Sequence, residues 1–371
     1  MGVRFNDLGR TSEVERSAIL EDIAEILDSG SFLNGPFSKR LRSLLRASIS
    51  VNEVTLVGNG TDALRVALMS LGVTSGSRVV TVGNAGGYAS GAALSLGATP
   101  VLVDVNAETA QMEPESLRCV LESHRRPDAV VVTHLYGLMA PIGELVEIAS
   151  AAGVPVVEDV AQAFGARTAN GPAGSFGSLA TTSFYPTKNL GSIGDAGAIF
   201  SSSKELNDRC ARLAQYGWGQ RYVVEDLSGM NSRMDEIQAA TLCQRLSLVH
   251  DQNARRRAII TALSASLGAN RRMIRAEGDS FVGHLAVMTT PERARDQEVL
   301  ASWGVETAIH YPLPDHLQPA WKNLVETPVS LVNTETLAAS VLSVPCFPSM
   351  TNAEVLHVGE ALASLSSSDS S

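Results

Sequence analysis

Glu53-Val-Thr-Leu-Val57-Gly58-Asn-Gly-Thr61-Asp-Ala-Leu-Arg-Val-Ala-Leu-Met-Ser-Leu71-Gly72 decides the fold. Five residues of apolar strand run into a tight Gly-Asn-Gly turn, and an apolar helix follows until Gly72 stops it. The same grammar recurs downstream. Arg78–Val82 reads as a strand, followed by a glycine-rich turn and a helix through Leu96. Strands are expected again at Pro100–Asp104, Ala129–Thr133 and Val154–Glu158, with a helix at Ile142–Ala152, and further short strands at Ala180–Phe184 and Asp195–Ser201. Strands apolar on both faces, alternating with helices, make a mostly parallel sheet covered by helices. Upstream, Thr11 or Ser12 caps a helix ending at Gly30, and Phe37–Ala47 forms a second. Met234–Leu248 is a strong helix continuing through Arg255–Arg257. Beyond Gly268 the grain changes: a strand at Ser280–Met288, a helix at Pro291–Trp303, a strand at Val305–His310 and a closing helix at Asn352–Leu365. The expected organisation is a large α/β unit over residues 1–250 and a smaller α+β unit over 251–371, with a frayed tail from Ser366 to Ser371.

With 371 residues, 44% hydrophobic and 18% charged, the chain has ample apolar material for a core, so general disorder is excluded. Its four cysteines are widely spaced, which excludes a disulfide scaffold and any cysteine metal site; no metal is expected. A net charge of −10 argues against nucleic-acid binding by broad phosphate neutralisation. No apolar run is long enough to span a bilayer and the N-terminus lacks a signal-peptide core, so a cytoplasmic protein is expected.

Ligands of open parallel sheets bind beyond the carboxyl ends of the strands, and three segments fall there. Gly58-Asn-Gly60-Thr61 offers backbone N–H groups, a hydroxyl and a helix N-terminus to an anion, or is simply a turn capped by Thr61. In Val156-Val-Glu-Asp159-Val-Ala-Gln162-Ala-Phe-Gly165, the Asp159 carboxylate ends an apolar strand and either needs a cationic partner or caps a helix. In Ser183-Phe-Tyr-Pro-Thr-Lys188-Asn-Leu-Gly191, Lys188 sits in a tight segment poor in charge, either as an amine nucleophile of lowered pKa or as a surface lysine.

In this order, and with Gly229-Met-Asn231-Ser-Arg-Met-Asp-Glu-Ile-Gln-Ala-Ala240, these segments resemble the DegT/DnrJ/EryC1/StrS nucleotide-sugar aminotransferases, fold-type-I enzymes dependent on pyridoxal 5'-phosphate (PLP). The resemblance runs from Asn34-Gly-Pro to the last helix and implies a mostly parallel seven-stranded sheet. It implies that Lys188 binds PLP covalently and then shuttles a proton. Asp159 faces the pyridine nitrogen, and Gln162 bonds the phenolic oxygen. Gly60, Thr61 and Ser183 hold the phosphate, and Asn231 reaches it from the partner in a homodimer with shared active sites. Two departures stand out. Many relatives carry a ring-stacking aromatic about where Gly86 falls, and here the nearest is Tyr88; Phe164 replaces a frequent histidine.

The implied reaction moves an amino group from L-glutamate to a keto group of a nucleotide-linked sugar. His134-Leu-Tyr-Gly and Tyr216-Gly-Trp-Gly resemble the subgroup acting at C-3 of dTDP-3-keto-6-deoxyhexoses, for glycoside antibiotics or surface glycans. By that analogy Tyr216, Trp218, Arg221, Tyr222, His310 and Tyr311 are candidates for the sugar-nucleotide pocket, where aromatics cover rings and cations meet the diphosphate. Amination at C-4 would use the same core residues. Sugar dehydration would replace Lys188 by histidine, a regulatory PLP-fold protein would not need the intact Lys188–Asp159–Gln162 set, and a nicotinamide enzyme would carry a third glycine in the first turn.

Overall fold

A computed structural model describes residues 1–367. Two helices open the chain, α1 (Glu13–Ser29), capped by Ser12 and stopped by Gly30 at φ 65°, and α2 (Pro36–Ile49). The large sheet then begins with β1 (Glu53–Val57), α3 (Gly60–Ser70), β2 (Arg78–Val82), α4 (Tyr88–Ser95) and β3 (Thr99–Val103). It continues through α5 (Pro114–Leu121), β4 (Ala129–Thr133), α6 (Ile142–Ala151) and β5 (Val156–Asp159). A small ladder of β6 (Arg167–Thr168) and β7 (Gly171–Pro172) precedes β8 (Leu179–Ser183) and β9 (Gly197–Ser201).

The seven strands lie in the order β1-β9-β8-β5-β4-β2-β3. Only β9 runs against the others, pairing antiparallel with β1 and β8. The carboxyl ends of the six parallel strands therefore share one edge. Val130, Val131 and Val132 are fully buried because helices cover both faces of the sheet. Apolar side chains buried this way each contribute roughly 1.5–3 kcal/mol.

After α7 (Lys204–Leu213) a hairpin forms from β10 (Trp218–Gln220) and β11 (Val223–Val224), then α8 (Glu236–Arg245). Buried Glu236 accepts the N–H groups of Gly35, Phe37 and Ser38, so a carboxylate from a distant helix satisfies the start of α2. A 3₁₀ turn, Leu246–Leu248, leads into α9 (Val249–Ser264), and we place the division between the two units there. The smaller sheet orders β12 (Arg272–Met273), β13 (Ala286–Thr289) and β14 (Val341–Val344), flanked by α10 (Arg293–Ser302), α11 (Val332–Ser340) and α12 (Asn352–Ser367). Val3 joins its apolar cluster, so the first residues pack on the small unit.

Three expectations need correction. Ser280–Met288 is a strand only over Ala286–Thr289, since Gly283 at φ 61° breaks the extended run. Val305–His310 is not a strand: Val305 makes one bridge to Val3 and Ala308 one to Ser343. The third partner in that sheet is Val341–Val344, a short apolar run that the reading passed over, as it did α5, α7 and α11. Of the tail expected to fray, α12 takes in residues through Ser367, and residues 368–371 lie outside the described residues.

Candidate active site

The shared edge of the sheet forms one wall of a cleft of about 710 Å³, within the size range of small-molecule sites. Gly60, Thr61, Tyr88, Asp159, Gln162, Ser183, Lys188, His310 and Tyr311 all line it. Asp159 ends β5, directly across the ladder from Thr133, and accepts the Ala161 N–H at 3.0 Å. Lys188 lies in the loop after β8, where its backbone N–H closes a turn onto the Tyr185 carbonyl at 2.8 Å. Burial is the larger influence on both groups: it pushes the Asp159 carboxyl up and the Lys188 amine down, and their mutual attraction opposes each shift. Gln162 is fixed at both ends of its amide, Oε1 accepting the Tyr136 N–H at 2.7 Å and Nε2 donating to the Tyr311 hydroxyl at 3.2 Å.

Beneath this edge lies a buried His134–Glu158 pair. His134 Nδ1 accepts the Ala140 N–H, so Nε2 carries the proton and donates to Glu158 at 3.1 Å. Burial works to raise Glu158, but His134 and the N–H groups of Gly177 and Gly174 outweigh it and hold the carboxyl below its ordinary value. Glu158 thereby ties the end of β5 to the 174–177 loop.

At the other end of the wall, α3 starts at Gly60. Asn59 is its cap, its side chain accepting the Asp62 N–H at 2.8 Å. This corrects the reading of Thr61 as a cap; the Thr61 hydroxyl has no hydrogen-bond partner among the described residues and faces the cleft. A Cβ on Gly60 would lie 2.5 Å from Ser183 Cβ, so only glycine lets the helix start approach β8 this closely.

The small unit supplies the facing wall. Tyr311 packs edge-on to Tyr88, ring centres 6.2 Å apart. A Cβ on Gly86 would lie 2.7 Å from the Tyr311 ring, so Tyr311 takes up the space that a side chain at position 86 would need. His310 stacks on Phe5 at 5.6 Å, and its Nδ1 lies 2.8 Å from the Ser343 hydroxyl. Burial, then the charge on Lys188, lowers His310 to about 4. Phe5, Asn6, Tyr185 and His284 also line the cleft, and sequence reasoning missed them. No local motif marks Phe5 or Asn6; a histidine within the apolar stretch Ser280–Met288 was the one available signal for His284.

Four residues expected in the sugar-nucleotide pocket stand elsewhere. Tyr216, Trp218, Arg221 and Tyr222 belong to the β10–β11 hairpin, with Tyr216 and Trp218 centred 4.8 Å apart and Arg221 over the Tyr222 ring at 4.9 Å. They do not line the cleft of the chain that carries them; the Tyr216 N–H donates to the Met230 carbonyl, which fixes the base of the hairpin. Asn231 is likewise exposed and outside this cleft. Its neighbour Ser232 accepts the Gly58 N–H and donates to Asp62, which anchors the segment beside α3.

These residues fit PLP. An amine suits its aldehyde, a buried carboxylate lacking a full counter-charge suits a protonated ring nitrogen, and the start of α3 with the free Thr61 hydroxyl suits its phosphate. Thr133, also buried on the cleft, stands directly across the ladder from Asp159. The site and sheet together define a fold-type-I PLP enzyme. The family profile for DegT/DnrJ/EryC1/StrS aminotransferases matches residues 13–363, and the chain belongs to that family. It is 35% identical to the dTDP-3-amino-3,4,6-trideoxy-alpha-D-glucose transaminase of Streptomyces venezuelae, covering 97% of this chain and 95% of that one. It is 32% identical to a "Pleiotropic regulatory protein" of Geobacillus stearothermophilus, covering 98% of each. The solved structure of S. venezuelae DesV superimposes with a TM-score of 0.92 at 34% identity, covering 97% of each chain. The protein is a PLP-dependent sugar aminotransferase.

Proposed function

We propose that this enzyme aminates C-3 of a dTDP-3-keto-6-deoxyhexose, with L-glutamate as donor, to give a dTDP-3-amino-3,6-dideoxyhexose for a glycoside antibiotic or surface glycan. The observation that carries the reading is the meeting of Lys188, Asp159, Gln162 and the start of α3 in one cleft. PLP supplies an electron sink and carries the amino group from donor to acceptor. Lys188 holds the cofactor and, once free, its Nζ moves the proton. Asp159 keeps the ring nitrogen protonated, and Gln162 orients the ring through the same amide that meets Tyr311. Gly60, Thr61 and Ser183 cradle the phosphate. Tyr88 and Tyr311 cover the ring, and Phe5 stacked on His310 offers a flat face to the hexose.

The enzyme works in the cytoplasm as a homodimer in which Asn231 and the Tyr216–Tyr222 hairpin complete the partner's site. Among the described residues no helix is long and apolar enough to cross a membrane. The regulatory name of one relative favours a second reading, binding without turnover, and the intact Lys188–Asp159 pair argues against it. Mass spectrometry of products from dTDP-, UDP- and GDP-linked 3-keto and 4-keto sugars, each with glutamate, tests the proposal. A product aminated at C-4, or only from a UDP or GDP sugar, replaces it; no product from any of them returns the regulatory reading.

A further inference from the structure

His284 lies in Ser280–Met288, which the sequence marked only as a strand, yet it is buried in the wall of the cleft that Lys188 also lines. Its protonation pattern follows from a chain of amides. The Phe164 carbonyl can only accept, so Asn253 turns its Nδ2 toward it, at 3.1 Å. Asn253 Oδ1 then accepts from Asn189 Nδ2 at 2.7 Å, and the same Nδ2 also meets the Val282 carbonyl. That leaves Asn189 Oδ1 as an acceptor, and His284 Nδ1 lies 2.9 Å from it. Nδ1 must therefore carry the proton. Burial, then the charges of Lys188 and Arg256, keep the ring neutral. Nε2 is left bare, with no hydrogen-bond partner among the described residues. Asn189, which sets this state, is the residue after Lys188.

We propose that His284 is a positioning residue for Lys188: locked with its proton on Nδ1, it presents Nε2 to the cleft as the acceptor that holds the free lysine amine in line for proton transfer. The Asn189–Asn253 chain sets both the backbone beside the lysine and the tautomer of its acceptor. This rests on the transaminase reading above.

The test uses the holoenzyme and two measurements. In protein labelled with ¹⁵N-histidine, the signal lost in His284→Gln is expected to report a neutral ring with Nδ1 protonated; a protonated Nε2 or an imidazolium overturns the proposal. In rapid mixing with glutamate, His284→Phe is expected to convert the cofactor band about 10-fold more slowly at saturation, with cofactor content and the glutamate KM near wild type. His284→Gln, whose oxygen can still accept, is expected to recover to within about 3-fold of wild type. A wild-type rate in His284→Phe, or equal loss in both variants, rejects the role. If wild-type enzyme itself shows no conversion with glutamate, the transaminase reading fails, while the nitrogen signals still judge the tautomer.

Discussion

The two walls of the cleft are built by opposite means. The sheet-edge wall gathers Gly60, Asp159, Ser183 and Lys188 from the ends of strands that run in one direction, β1 reversed twice through antiparallel β9, so that their carboxyl ends share one edge. The facing wall gathers Phe5, His284, His310 and Tyr311 from opposite ends of the chain, held together by side-chain packing. The first wall carries a buried amine, a buried carboxylate and a helix start; the second carries aromatic rings and two histidines. In the proposed reaction the chemistry common to PLP transaminases rests on the first wall, and recognition of one sugar rests on the second.

Four substitutions can break that division, in order of expected effect. Lys188→Ala should retain PLP without a covalent bond and lose activity by about 10³-fold or more. Borohydride reduction of the wild type followed by peptide mapping checks it, and label on another lysine would remove the assignment. Asp159→Asn should cost about 10²–10³-fold in turnover while the fold, followed by circular dichroism, persists; a near-normal rate would end the electron-sink argument. Phe5→Ala should raise the KM for the keto sugar about 10-fold and leave the glutamate half-reaction unchanged. Equal slowing of both half-reactions would place Phe5 with the general chemistry and blur the two walls.

The smallest effect concerns the seam between the units. Asp315, from the segment after Tyr311, accepts the Ser90 hydroxyl of α4 at 2.5 Å and also draws on the Gly87 N–H. Burial pushes its carboxyl up to about 7 from an ordinary 3.8. Between those values the folded chain keeps a proton that the unfolded chain has lost. The stabilising contribution is complete below 3.8 and disappears as pH rises through 7. Asp315→Asn cannot ionise, so its melting temperature relative to wild type should rise on the order of 2–4 °C between about pH 5 and pH 8. An unchanged difference would show that the seam does not titrate.

Much of the first wall was legible because each of its residues lies within a few positions of a strand end, and strand ends show in the alternation of apolar runs and small-residue turns. Asp159 and Lys188 could be named that way, although Asn59 rather than Thr61 proved to cap α3. The strand-by-strand reading weakened after Gly268, where strands of two to four residues give too little periodicity to register. The aromatic hairpin shows the limit of composition: its residues suit a sugar-nucleotide pocket, but composition does not say whether a hairpin serves its own chain's cleft or a partner's.

By itself the sequence determined the α/β layering, the edge on which the cleft opens and the two groups, Asp159 and Lys188, proposed for its chemistry, since these follow from local periodicity and from the topology that parallel strands require. Only the tertiary structure decided that Tyr311 fills the space above Gly86, that the first residues of the chain reach the cleft, and which nitrogen of His284 is bare. Those depend on contacts between segments far apart in the chain, and no local pattern of residues encodes the distance between them.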